Sequence, residues 1–131
     1  AALIHCPTSN TFIGSGLFDM GGLMAAGHRV GLATDTGGGS SFSMLRTMAA
    51  AYEIAQLRGR ALHPAELLWL ATTGSAQALG LEDRIGSLEP GKDADLVLVE
   101  GSAIRARMAP QSSCASSGVA TSPVPMAQMG S

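Results

Sequence analysis

Basic residues are too few in this chain to build a phosphate-binding surface. Eight lysines and arginines stand against ten acidic residues, a formal net charge of −2. That balance argues against a nucleic-acid or anionic-membrane footprint, which needs clustered positive charge. Arg58 and Arg60 sit close together, and they suit a solvated helix end. Cysteine is equally scarce. Cys6 and Cys114 are far apart and form neither a CxxC nor a paired zinc spacing, so no disulfide framework or zinc knuckle is supported. A reducing, cytoplasmic setting is the default for such a chain. No apolar run reaches the length of a membrane span, and no charged-then-apolar signal pattern opens the chain. Histidine occurs three times, at His5, His28 and His63, and no two of them have H-x-H or i, i+4 ligand spacing.

Apolar residues, in contrast, are plentiful. They make up 46% of the 131 residues against 14% charged, enough for a buried core in one small domain or part of a larger one. Beginning at Ala1, close to a Pro-containing apolar segment, the chain reads as a piece of a larger fold. Ala1–Cys6 reads as a buried strand ended by Pro7, "PTSN" as a turn, and "TFIGSGLFDM" as a glycine-broken loop. A short helix is expected over Leu17–Ala26, weakened by roughly 1 kcal/mol at each of Gly21 and Gly22 and capped by Gly27. His28–Thr34 suits a strand buried on both faces, as in a parallel sheet. The strongest helix signal covers Phe42–Leu57. Met44, Leu45, Met48, Ala51, Tyr52 and Ala55 recur at helical spacing there, with Ser40, Ser41 or Ser43 as the cap.

Pro64 opens another helix, with Leu67, Leu68, Ala71 and Thr72 on its apolar face. Gly74 interrupts it, and a further turn of helix runs to Leu79 and stops at Gly80. "RIGSLEPGKDADLVLVE" then reads as two short strands around a Pro-Gly turn, with Ile85 and Leu88 flanking the first and Leu96–Val99 forming the second. From Gly101 onward the chain is Ser-, Ala- and Pro-rich and without period. It cannot offset the roughly 1–2 kcal/mol per residue of backbone ordering entropy, so disorder is expected over 101–131.

Asp35, in "GLATDTGGGSSFSML", is the sharpest chemical candidate. It falls at the C-terminal edge of the second strand, where parallel α/β folds carry their sites. A carboxylate there ligates a metal or takes a proton from metal-bound water. The glycines after it would let a ligand approach the backbone. The competing reading is an aspartate that turns the chain out of a strand. "TGGGSS" also suggests a phosphate cradle, but it lacks the lysine of a P-loop and the second acid of a dinucleotide fingerprint. His5 and Cys6 are adjacent on a strand and point to opposite faces, so a structural or supporting role suits them better than nucleophilic catalysis. His28 and His63 are expected to face solvent, and Met44 and Met48 to be core.

The segments "HCPTSNTFIGSGLFD", "VGLATDTGGGSSFSMLRTM" and "LATTGSAQALGLEDRIGSLEPGKDADLVLV" occur in this order. From about Ala1 to Val99 they closely resemble the guanine deaminases of the amidohydrolase superfamily. The first two are the more specific, whereas "EPGKDADLV" is shared by most of the superfamily. The resemblance implies an α/β fold. The chain would hold the last two strand–helix units of a TIM-type (β/α)8 barrel, plus part of a small β-sandwich. Ala1–Cys6 would be strand 7, Arg29–Thr34 strand 8 and Phe42–Leu57 the last barrel helix. The barrel part would cover 1–80, the β-sandwich segment 81–100 and the tail 101–131.

The resemblance further implies one zinc ion (Zn2+), a purine substrate, and hydrolysis of guanine to xanthine and ammonia in a cytoplasmic, homodimeric parent enzyme. Asp35 matches the zinc-ligating, proton-handling aspartate at the end of strand 8, and so becomes the candidate metal and catalytic residue. The family's H-x-H pair, its later histidines, its catalytic glutamate and its guanine-binding arginine and glutamine have no counterpart here. One carboxylate does not complete a zinc site, and two of eight barrel units cannot close a barrel. Beyond Val99 the chain departs from the family, as a shifted reading frame or an artificial end would produce. The chain alone is therefore expected to be inactive. The alternatives are a deaminase or chlorohydrolase of another amino-heterocycle, or a non-catalytic truncated or interaction fragment with exposed strand edges.

Overall fold

The computed structural model describes residues 1–93 and 95–98. All its helices and strands lie in one unit, Ala1–Leu96; of the other unit, Val97–Ser131, only Val97 and Leu98 are described. Strand β1 (Ala2–His5) is followed by helices α1 (Pro7–Ile13) and α2 (Met20–Ala25), then strand β2 (Arg29–Leu32). Helices α3 (Met44–Leu57), α4 (Pro64–Ala71) and α5 (Thr73–Leu79) complete the order. Among the described residues, no helix is long and apolar enough to cross a membrane.

The two strands pair in parallel, with Ala2 opposite Arg29 and His5 opposite Leu32. Arg29 N donates to Ala1 O and Ala33 N to His5 O, both at 3.1 Å. Alternate residues of a strand serve the same neighbour, so the amide and carbonyl of Leu32 point away from β1. Ser75 meets them there. Its hydroxyl accepts from Leu32 N at 3.0 Å, and its proton lies within reach of Leu70 O (2.8 Å) and Leu32 O (3.0 Å). Gly31 makes this approach possible, since a Cβ on it would stand 2.8 Å from Ser75 Cα. Val30, Gly31 and Leu32 are all buried, as a strand covered on both faces requires. In β1 only His5 is fully buried.

Met20, Val30, Leu32, Ala51, Ala55, Leu62, Leu67 and Leu70 form the core, with Met44 and Met48 packed against it. Helix α3 buries Thr47, Ala51, Ile54 and Ala55, while Leu45 and Tyr52, expected on the inner face, are exposed. Thr47 is tolerated inside because its hydroxyl donates to Ser43 O at 3.2 Å. Ser43 is the cap, accepting from Arg46 N at 3.3 Å. At the other end Arg58 reaches back to Asp19 at 3.1 Å, and Asp19 in turn caps α2 by accepting from Gly22 N.

Several expectations are corrected. "PTSN" does not stay a turn, because Pro7 fills the first helical position, where its missing amide costs nothing. The helix it opens runs to Ile13 and closes on Gly14 at φ 71°. The expected Leu17–Ala26 helix begins only at Met20, once Asp19 supplies a cap. Gly74 does not break the fourth helix. The break is Thr72, at φ −125° and ψ −96°, and Gly74 lies inside α5 under the ring of Trp69. The two strands expected around the Pro-Gly turn are not formed among the described residues. Asp93 N donates to Arg84 O at 2.8 Å, the two side chains pair at 2.8 Å, and Lys92 Nζ donates to Ser87 Oγ at 2.7 Å, so the arms touch without forming a ladder among the described residues. Among the described residues no neighbouring strand continues a ladder, and Gly86 at φ 94° bends the first arm. Val99 and the expected tail, 101–131, lie outside the described residues.

Replacing Ser75 with Ala leaves the Leu32 amide buried without a partner, which costs about 1–3 kcal/mol. Gly31→Ala forces α5 off the strand at a comparable cost of about 1–3 kcal/mol. Urea unfolding of the chain reads both, and an unchanged midpoint for either variant would show that this contact does not hold the sheet edge.

Candidate functional site

The parallel register brings both strands to an end at one edge, so residues 6–9 and 33–39 leave the sheet side by side. Asp35 is the second residue beyond Ala33, and it adopts φ 49°. Among the described residues it alone combines a side chain with positive φ, a region aspartate enters more readily than most. Its carbonyl collects the amides of Gly38 (3.0 Å) and Gly39 (2.5 Å), which close the glycine loop on itself. Its side chain is exposed, yet Oδ2 accepts a 2.6 Å hydrogen bond from Ser9 Oγ. Oδ1 accepts none from the described residues.

The glycines serve this loop directly. A Cβ on Gly38 would lie 2.7 Å from Ser9 Oγ and 2.9 Å from Asp35 Oδ2. One on Gly39 would run into Thr34 O and stand 3.0 Å from Thr8 Oγ1. Gly38 and Gly39 are thus required for close approach, and what approaches is the chain's own β1–α1 corner. With both amides donating to Asp35 O, the phosphate-cradle reading loses two of the donors it needs.

Beside the carboxylate stand the buried Ser9 and the half-buried Cys6, and the buried Thr8 lies against Gly39 of the same loop. Burial and then the charge of Asp35 raise the Cys6 thiol above its ordinary range, which disfavours a thiolate nucleophile. Thr8 Oγ1 is buried without a partner. His5 takes no part. It turns to the other face, stacks on Phe18 with ring centroids 4.6 Å apart, and borders a cavity of about 210 Å³ between α2 and α3. His63 is exposed and caps α4, accepting from Ala65 N at 3.1 Å, while His28 is half-buried rather than solvent-facing.

A carboxylate with one oxygen anchored and the other open is a lone-pair donor to a cation and an acceptor for a proton. A carboxylate of this kind can supply one ligand to a metal ion. Among the described residues no group of three or more His, Cys, Asp or Glu side chains is placed to hold a metal ion, so the remaining ligands are not met here. Ser9 was not legible as a site residue. Its contact with Asp35 spans 26 positions and depends on the strand register.

Burial lowers the His5 pKa from 6.5 to about 4. The folded imidazole stays neutral while the unfolded one takes up a proton, so stability is complete above pH 6.5 and drains as pH falls toward 4. The loss amounts to about 3 kcal/mol at the acid end. His5→Phe keeps the ring stack and should flatten this slope in urea titrations at pH 7 and pH 4.5. A slope that survives the substitution would assign it to another group.

A profile of the Amidohydrolase family matches residues 1–125. Guanine deaminase of Escherichia coli strain K12 is 45% identical over 103 residues, covering 79% of this chain and 24% of that protein. The solved E. coli guanine deaminase matches with a TM-score of 0.70 over 72% of this chain and 22% of its own. A probable guanine deaminase of Deinococcus radiodurans is 50% identical over 99 residues, 73% of this chain and 23% of that one. An adenosine deaminase from Xanthomonas campestris, solved with bound zinc, is 34% identical with a TM-score of 0.63, over 70% of this chain and 22% of its own. The chain spans about a quarter of the length of the curated relatives it matches. Sequence and structure agree across most of these residues, and the chain belongs to the amidohydrolase family.

Proposed function

We propose that this chain forms one wall of a zinc-dependent guanine deaminase site, with Asp35 as a metal ligand and proton acceptor. The observation that carries the reading is the Asp35 carboxylate itself. It is exposed at the C-terminal edge of two parallel strands, anchored through Oδ2 and open at Oδ1. The identity to guanine deaminases supports guanine as the substrate and xanthine and ammonia as the products. The Xanthomonas relative with bound zinc supports the choice of metal. Zinc, when bound, lowers the pKa of water so that hydroxide is available near neutral pH.

The residues of this chain then have limited tasks. Asp35 would hold the metal through Oδ1, and its carboxylate would accept a proton from the attacking water and return it toward the departing amine. Gly38 and Gly39 keep the loop low, so the carboxylate is not shielded by side chains. The remaining ligands and the purine-reading groups are assigned to segments other than these residues. Residues 81–100 are assigned to the β-sandwich on the resemblance of "EPGKDADLV" to the superfamily alone. The resemblance supports a cytoplasmic, homodimeric parent. A second reading, deamination of a different amino-heterocycle, is favoured by the adenosine deaminase among the matches.

The test is a chimera in which residues 1–99 replace the matching segment of the E. coli enzyme. It should bind zinc and deaminate guanine, whereas the 131-residue chain alone should turn over none. Asp35→Asn in the chimera should lower turnover by at least about 100-fold and weaken zinc binding. A variant that keeps both would remove Asp35 from the site.

A further inference from the structure

Ser9 reaches the site from another segment, and its geometry is specific. The residue is 2% exposed, so its hydroxyl has no bulk water to bond. That hydroxyl has one proton, and it is spent on Asp35 Oδ2 at 2.6 Å, a length typical of a charge-assisted bond. Gly38 closes the arrangement from above, with room for a hydrogen but not for a Cβ. The Asp35 backbone is fixed independently by the amides of Gly38 and Gly39. Asp35 is therefore held at its backbone and through Oδ2, and its two carboxylate oxygens are made unequal.

We propose that Ser9 is a positioning residue for the metal site: its hydroxyl occupies Asp35 Oδ2 and commits Oδ1 to the metal, with the bare Cα of Gly38 as the clearance that permits it. Resting on the reading of Asp35 as a metal ligand, the proposal adds the group that selects the ligating oxygen and the rotamer. An unheld aspartate could turn either oxygen, or both, toward a cation. Ser9 removes that freedom before the metal arrives, which raises affinity without touching the metal.

The experiment uses the same chimera and reads zinc affinity by competition with a chelator, alongside steady-state kinetics. Ser9→Ala should weaken zinc binding by about 10- to 100-fold and lower kcat in the zinc-saturated enzyme, with KM unchanged. Gly38→Ala, which leaves the hydroxyl in place but pushes it off Oδ2, should reproduce the loss. The double variant should be no worse than either single one, because both act on one bond. Unchanged zinc affinity in Ser9→Ala, with Asp35→Asn deficient, overturns the role of Ser9 and leaves that of Asp35 standing. So does additivity of the two variants, or a loss confined to KM. If Asp35→Asn itself keeps zinc and turnover, or the parent chimera binds no zinc, the functional reading fails and this proposal with it.

Discussion

The site rests on a ladder only four residue pairs long. Parallel pairing of β1 with β2 sets His5 level with Leu32, and that register alone decides which residues emerge together at the C-terminal edge. A slip of one position would exchange the faces of every strand residue and carry Ser9 away from Asp35. So short a ladder cannot hold itself in water. It is clamped from one side by the core residues of α2, α3 and α4 against Val30 and Leu32, and from the other by α5, whose Ser75 occupies the outward amide of Leu32. The placement of Asp35 thus depends on a contact with α5, forty residues further along the chain.

Absent side chains do much of the positioning. Gly31 lets α5 close on β2, and Gly38 lets Asp35 and Ser9 meet. Neither has the positive φ that usually explains a glycine, so both are there for space and not for backbone freedom. Asp35 is the reverse case. It holds the left-handed conformation itself, at φ 49°, while the neighbouring glycines remain in ordinary regions.

What the sequence made legible follows the range of the forces involved. Helix α3 could be read because its spacing and its Ser43 cap are local properties. Asp35 could be singled out because a strand end followed by glycines is also local. The "PTSN" segment could not be resolved, since proline opens turns and helices alike, and burial of Pro7, Thr8 and Ser9 under the site decides between them. The strands expected around the Pro-Gly turn are not formed among the described residues, because apolar residues beside a turn make a strand only where a partner completes the ladder. The Ser9–Asp35 bond lay beyond reach for a related reason: no pattern in either segment announces the other.

The joint between α4 and α5 carries one further consequence. Trp69 lies over Gly74 where the chain breaks at Thr72, and it is the only tryptophan in the protein. Its indole is half in solvent and half against the helix that bears Ser75. The intrinsic fluorescence of this chain is therefore a local signal. It reports whether α5 is seated, and through α5 whether the strand that ends near Asp35 is held in place.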